Sequence, residues 1–183
     1  MRLDEAGLDE YTDRFDHDAF RHETLTRYQV ASDGGDFARW LAGEAGPDPD
    51  VVGPWGRWVH AQLDRGATVR RVRVLYGPPS DYLRYEAEWA YTANLDAGEL
   101  IRVLDLTEQE RPAGMVDDEF WMLDGERAVL MTYAADGRFL HGDTVEGRAA
   151  ERISHARDAA WDAAEPFGQW WARHPEYHRA AGL

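Results

Sequence analysis

At 183 residues the chain is long enough for one domain with a sizeable core, and no Ser/Gly-rich or charge-rich linker divides it. Its 35 acidic residues against 20 basic ones leave a net charge of −15, which opposes contact with nucleic acid or anionic lipid unless the arginines cluster strongly. With no cysteine, disulfides, thiolate metal sites and thiol nucleophiles are excluded outright.

No stretch approaches the roughly 20 apolar residues that span a bilayer, and the acidic start, Met1 to Glu5, has no apolar run behind it. A cytoplasmic protein without membrane contact is expected. Every basic residue is arginine, a bias that GC-rich coding explains without any demand for bidentate contacts.

Leu8, Tyr11, Phe15, Ala19, Phe20 and Leu25 recur among charges at a spacing that predicts one or two short helices laid on the core. His17 and His22 fall on poorly matched faces of such a helix, without a third ligand, and read as solvated side chains. Arg27 to Val30 is a short strand candidate, ended by Ser32-Asp33-Gly34-Gly35. Asp36 then caps a helix over Phe37 to Ala42 that Gly43 closes. Gly46 to Asp50 is a loop by composition, and Trp55, Val59 and Leu63 share one face of a following helix. Trp55 and Trp58 read there as core anchors, since a stacking platform would come with a basic groove.

Val69 to Tyr76 is rich in β-branched residues and stops at Gly77-Pro78-Pro79, where two prolines remove ladder donors. Ser80 or Asp81 can cap the next helix, on which Leu83, Ala87, Ala90, Tyr91 and Asn94 recur until Gly98 ends it. Leu100 to Leu104 follows as a second strand. A strand, crossover helix and strand of this length form a parallel βαβ unit. A polar connection leads to Phe120–Leu123, and the turn signals Asp124-Gly125 and Asp136-Gly137 join that strand to Arg127–Tyr133 and Arg138–His141 as a meander. Val145 to Ala164 predicts a long helix with Ala149, Ile153, Ala156, Ala160 and Ala164 inward, ended by Pro166. The aromatic tail, Phe167, Trp170, Trp171 and Tyr177, either folds back on the body or meets another subunit, which would make a homodimer.

The expected fold is therefore a single α/β domain, with a mixed sheet built on a parallel βαβ core, an antiparallel meander and covering helices. Residues 1–66 form a helical N-terminal region packing on the sheet, 67–165 the βαβ-meander-helix core and 166–183 the aromatic tail.

Strand alternation puts Arg71 and Arg73 on one face, where covering helices would oblige them to find partners such as Glu86, Glu88 or Glu119. Buried ion pairing is one reading of this group, and an anion site at the strand ends is its rival. Tyr82, Tyr85 and Glu86, at the start of the crossover helix, mark where a small ligand would dock, with packing and capping as their plainer role. Asp117, Asp118, Glu119 and Asp124 offer oxygen ligands, but alternation sends Asp118 and Glu119 to opposite faces, so no metal is expected. No G-x-S-x-G, H-E-x-x-H or phosphate-binding G-x-x-x-x-G-K-[ST] motif is present.

Arg71-Val72-Arg73-Val74, Asp81 to Glu86, Ala97-Gly98-Glu99, Glu119 to Asp124 and Trp161-xx-Ala164, with Arg21-His22-Glu23-Thr24 and Tyr28 near the start, resemble an actinobacterial family of unknown function. The resemblance covers most of the chain and implies a gene beside helix-turn-helix regulators, without an established activity. A wider likeness is to the phospholipase-D-like fold, whose strand carries H-x-K-x4-D. Aligning Asp124 with the motif aspartate puts Asp117 at the histidine position and Glu119 at the lysine position, so that chemistry is expected to be lost. The resemblance thus implies a non-catalytic ligand-sensing or protein-docking module, without a cofactor, partnered by a helix-turn-helix regulator and a small-molecule ligand. The alternative is an enzyme acting on a phosphate ester or other anionic substrate through His60 or His141 with Glu119. Direct nucleic-acid binding is the weakest reading, because no recognition helix stands out against the net charge.

Overall fold

The computed structural model describes residues 1–29, 33 and 35–179, the backbone alone at positions 51 and 52. Among the described residues eight strands form one mixed sheet in the order β1-β7-β6-β5-β2-β3-β4-β8. They are β1 (Arg2–Leu3), β2 (Asp18–Glu23), β3 (Thr68–Leu75), β4 (Leu100–Asp105), β5 (Glu119–Leu123), β6 (Arg127–Tyr133), β7 (Phe139–Val145) and β8 (Glu165–Pro166). The centre, β2, β3 and β4, is parallel, and the meander β5 to β7 joins it antiparallel through β2. The single mixed α/β sheet, the βαβ unit and the meander accord with the sequence reading.

The N-terminal region departs from it. Of the stretch from Leu8 to Leu25, expected as one or two helices, only the part within Glu5–Thr12 is helical, as α1, while residues expected to continue as helix form β2, the strand that bonds β3 on one side and β5 on the other. Residues 1–66 are thus partly strand, and they supply the sheet's interior. Ala19 to Glu23 are all buried, on both faces of the sheet, which a surface helix would not allow. His22 is fully buried rather than solvated. Its ring stacks on Phe120 at 4.7 Å, and its Nδ1 lies 2.9 Å from the Asp118 carbonyl. Burial pulls its pKa below the usual histidine value.

Gln29 makes only an isolated bridge to Arg138; Val30, Ser32 and Gly34 lie outside the described residues. Helix α2 runs over Asp36–Leu41 and is capped by Gly35 at φ 87 rather than by Asp36, whose buried carboxylate instead accepts from Arg39 and the Asp48 amide. Helix α3 (Pro49–Asp64) starts earlier than expected, because Asp48 caps it and Pro49 fits its first turn. Ser80 Oγ caps the crossover helix, accepting from the Leu83 amide at 3.2 Å. That helix is α4 (Asp81–Tyr85), a π-helical stretch over Glu86–Tyr91 and α5 (Thr92–Asp96). Tyr82, Tyr85, Glu86 and Trp89, spaced as i, i+3, i+4 and i+7 on a face beside the expected one, are buried as well, so the helix buries more than one stripe.

One face of the sheet packs on α6 (Arg148–Ala163), with Phe20, Val72, Val74, Leu104, Phe120 and Met122 against Ala150, Ile153 and Ala160. Val145 belongs to β7, so the helix begins later than expected, and Ala150 rather than Ala149 opens its buried face. The other face carries α3, the crossover helix and α7 (Phe167–Arg173). The aromatic tail folds back, with Phe167 and Trp170 buried against Tyr91, Ile101 and Val103. Pro166 extends the sheet opposite Arg102.

Asp124 fixes the β5–β6 turn. At φ 55, followed by Gly125 at φ 74, it opens the three-residue loop between Leu123 and Arg127 with two successive left-handed positions. Its carboxylate accepts from the backbone amides of Asp16, His17 and Asp18 at 2.9, 2.7 and 3.1 Å, and those bonds hold its pKa below the usual carboxylate value despite burial. Asp124→Ala is expected to lower stability by about 2–3 kcal/mol through the lost charge-assisted bonds and the unfavourable φ. Urea unfolding measures it, and an unchanged midpoint would contradict this role.

Candidate functional site

Alternation along β2, β3 and β5 sends Arg21, Glu23, Arg71, Arg73 and Glu119 to the face opposite α6, into the middle of the sheet. There they pair with one another and with Glu86 from the crossover helix and Glu99 from the turn before β4. Arg21 Nη2 donates to Glu119 at 2.9 Å. Arg71 donates to Glu23 and Glu99 at 2.8 and 2.7 Å. Arg73 Nη2 donates to Glu23 at 2.8 Å and to Glu86 at 2.9 Å. Tyr91 gives its hydroxyl proton to Glu23, and Tyr28 gives its own to Glu119. Trp55 Nε1 donates to Glu99 at 2.8 Å.

Buried charges persist only when paired in this way. Burial opposes the charge of Arg21, but Tyr133, Glu119, Tyr28 and Glu23 together more than offset it and push the guanidinium further from deprotonation. Glu23 lies between Arg71, Arg73 and Arg21, and that surplus of positive neighbours pulls its carboxyl down to about 2 against the effect of burial. Glu86 is the opposite case. Burial dominates, Arg73 is shared with Glu23, and the carboxyl is pushed up to about 8. Three guanidiniums, Arg21, Arg71 and Arg73, thus face four carboxylates, Glu23, Glu86, Glu99 and Glu119, and Glu86 is left without a full counter-charge.

Above this floor opens a cleft of about 870 Å³. One wall is the ring series Trp58, Trp55 and Trp121, with centroids 4.7 and 6.3 Å apart. The other is Tyr133, Tyr28, Tyr82 and Tyr85, with successive centroids 5.4, 6.3 and 5.7 Å apart. Arg21 lies against Tyr28 and Trp121 at 5.9 and 5.8 Å, and Arg71 against Trp55 at 5.7 Å, so these rings already hold cations. Asp33, which accepts from the Tyr82 hydroxyl at 3.0 Å, also lines the cleft, and burial raises its carboxyl to about 6.

Arg71, Tyr82, Tyr85 and Glu86, named from the sequence, line this cleft. Arg73 and Glu119 lie in the ion network beneath, Glu119 held also by Thr24 Oγ1 at 2.8 Å and the Leu25 amide at 2.9 Å. Of the expected partners of Arg73, Glu86 is realised; Glu88 bonds Trp40 Nε1 instead, and Glu119 serves Arg21. Sequence reading missed Arg21, Glu23 and Glu99, and it placed Trp55 and Trp58 in the core although both are only half buried at the cleft. Their indole N–H groups point to it, since each bonds an acidic residue distant in sequence, Glu99 and Asp13.

The acidic group of Asp117, Asp118, Glu119 and Asp124 does not converge. Asp117 bonds Tyr76 and Arg111, while Glu119 and Asp124 serve the partners given above. Nor does either histidine of the enzymatic alternative join Glu119: His60 is exposed on α3, and His141 lies 3.2 Å from Asp143 on β7. Among the described residues the group with metal-ligand geometry is Asp105, Glu108 and His174, whose ligand atoms lie within 4.8 Å of one another. Arg173 occupies Glu108 there, and Thr107 and Trp170 occupy the two oxygens of Asp105.

No helix among the described residues is long and apolar enough to cross a membrane. A search of curated proteins returns no match to this chain. The family described as Domain of unknown function (DUF6879) matches residues 6–172, nearly the whole of the sheet and its covering helices, and the chain belongs to that family.

Proposed function

We propose that the chain is a non-catalytic receptor for a small molecule and the ligand-sensing partner of a helix-turn-helix regulator. The cleft carries this reading. At about 870 Å³ it is of the size that encloses small ligands, with aromatic walls and convergent polar groups. Its floor supports binding over turnover, because the groups that would serve as base or anion-stabilising cation are engaged with one another. Arg21 and Arg71 are each bound to buried carboxylates and have little charge left for an incoming phosphate.

A phospholipase-D-like ancestry fits the order of βαβ unit, hairpin and late helix. At the three motif positions Asp117, Glu119 and Asp124 have structural partners, which favours a framework retained without its chemistry. The net charge of −15 suits a protein partner with basic patches.

Thermal shift against a metabolite library tests the receptor reading, with Ala90→Trp as a cleft-filling control, since Ala90 lines the cleft. A true ligand at about 100-fold its Kd is expected to stabilise the protein by about 2.7 kcal/mol, and Ala90→Trp is expected to abolish the shift. A library without such a compound, or hits that Ala90→Trp leaves intact, would refute it. Affinity capture from the native extract is expected to return a helix-turn-helix regulator, and repeated capture without one counts against the partnership.

A further inference from the structure

Resting on the receptor reading, we infer that the cleft takes an organic cation, an ammonium or guanidinium group carried on an aromatic or apolar body, with its charge seated beside Glu86. The argument is one of charge balance. Glu119 has Arg21 and Glu23 has both Arg71 and Arg73, while Glu99 and Glu86 each share one guanidinium with Glu23, Arg71 and Arg73 respectively; Glu99 also takes the Trp55 indole N–H and is 1% exposed, which leaves Glu86 the less satisfied of the two. It is the fourth carboxylate in a network with three cations, and of the two that line the cleft, Glu23 and Glu86, it is the one with a single guanidinium. A cation bound there completes the pairing that the protein itself leaves unfinished.

Three features agree with that charge. Asp33 also lines the cleft, across from Glu86 through Tyr82, and has no cationic partner among the described residues. Asp9 and Asp50 line it further out, so an anion entering meets carboxylates before it reaches any arginine. The rings of Tyr28, Trp55 and Trp121 already lie against guanidinium groups at 5.7–5.9 Å, and indole and phenol faces attract ammonium groups in the same way. An anionic substrate, by contrast, would have to displace Glu23 or Glu119 from arginines that each already holds.

The ionisation of Glu86 gives the inference a signature that mere cleft filling lacks. Glu86 is faced by Arg71 and Arg73 of β3, Glu23 of β2, Asp33, and Tyr82, Tyr85 and Tyr91 of its own crossover helix. Because burial keeps its carboxyl protonated near neutrality, a cation bound beside it expels that proton. Binding should release protons at about pH 7 and, below the Glu86 midpoint, tighten by up to about tenfold for each unit that the pH rises.

Tryptophan-fluorescence titration and calorimetry of the full chain test this with benzyltrimethylammonium and benzylguanidinium as probes, against benzenesulfonate and benzyl alcohol. The expected result is saturable binding of the cations alone, with proton release read from calorimetry in buffers of different ionisation enthalpy. Glu86→Gln, which preserves shape, is expected to weaken the cations about tenfold at about pH 9 and to remove both the proton release and the pH dependence. Binding of the sulfonate or the alcohol in preference, cation binding without proton release, or no cation binding overturns the inference. Anionic or neutral library compounds whose shift Ala90→Trp abolishes would overturn it while leaving the receptor reading standing.

Discussion

Arg73→Met is expected to destabilise the fold by about 3–5 kcal/mol, the cost of removing one partner from a buried ionic group, and to lower the Tm by roughly 6–20 °C for a chain of this size. Arg73 is 2% exposed. Its Nε donates to Tyr91 at 2.8 Å, Nη1 to the Leu25 carbonyl at 3.0 Å and to Tyr28 at 3.3 Å, and Nη2 to Glu23 and Glu86. Methionine fills a similar volume but leaves those acceptors dry, and Glu23 keeps the full desolvation cost with fewer counter-charges. Arg73→Lys tests geometry rather than charge. A single ammonium cannot serve acceptors on β2, the crossover helix and the segment after β2 at once, so it too is expected to lose stability, though less. The comparison is Arg2→Ala, whose partner Asp143 is solvent-exposed, and which is expected to leave the Tm unchanged. Differential scanning calorimetry reads all three, and an Arg73→Met protein as stable as Arg2→Ala would show that the network contributes nothing to the fold.

The same network explains what was legible in the sequence. Arg71 and Arg73 stand out because they interrupt a valine-rich strand, and two arginines on one face of a buried strand must be answered by acids. Their answering acids were less visible. Glu23 and Arg21 lie in Asp18–Glu23, where alternating charges and scattered aromatics resemble an amphipathic surface helix; only the neighbours on both sides make this segment an interior strand. Glu99 sits just past the helix-ending Gly98, a position that normally faces water, and it is buried because α3 lays Trp55 over it. The hairpins were legible because their turn chemistry is local, and Asp124-Gly125 encodes its own left-handed pair. The cleft as a whole was not, because it is made where α1, α3, the strands β2, β3, β5 and β6 and the crossover helix meet, and the sequence marked only its Arg71, Tyr82, Tyr85 and Glu86 side. The π-helical turn over Glu86–Tyr91 has no signal in the periodicity that predicts the helix around it.

Glu86 also sets the expected pH dependence of stability on the alkaline side. Its carboxyl titrates near 4.5 in the unfolded chain and is pushed up to about 8 in the fold by burial, with Glu23 and Asp33 adding to the rise and Arg73 and Arg71 opposing it. For an acid whose folded pKa is raised, the folded state binds the extra proton between the two values, so stability is fully present below about 4.5 and falls as pH rises toward about 8. A tenfold difference in proton affinity between the folded and unfolded chain corresponds to about 1.4 kcal/mol, so the loss across this window is on the order of a few kcal/mol. Glu23 acts in the opposite sense. Its carboxyl is held down to about 2, so its contribution is complete above the unfolded value of 4.5 and is lost as pH falls toward 2. The two together put maximum stability on the acid side of neutrality. Urea unfolding at several pH values from about 5 to about 9 is expected to give a steadily falling midpoint for the wild type. Glu86→Gln is expected to flatten the curve and to exceed the wild type at the alkaline end, where the native carboxylate must ionise without a counter-charge. A wild-type midpoint that stays level or rises over that range would mean that Arg73 neutralises Glu86 after all, and the unfinished pairing on which the cleft's preference for cations rests would not exist.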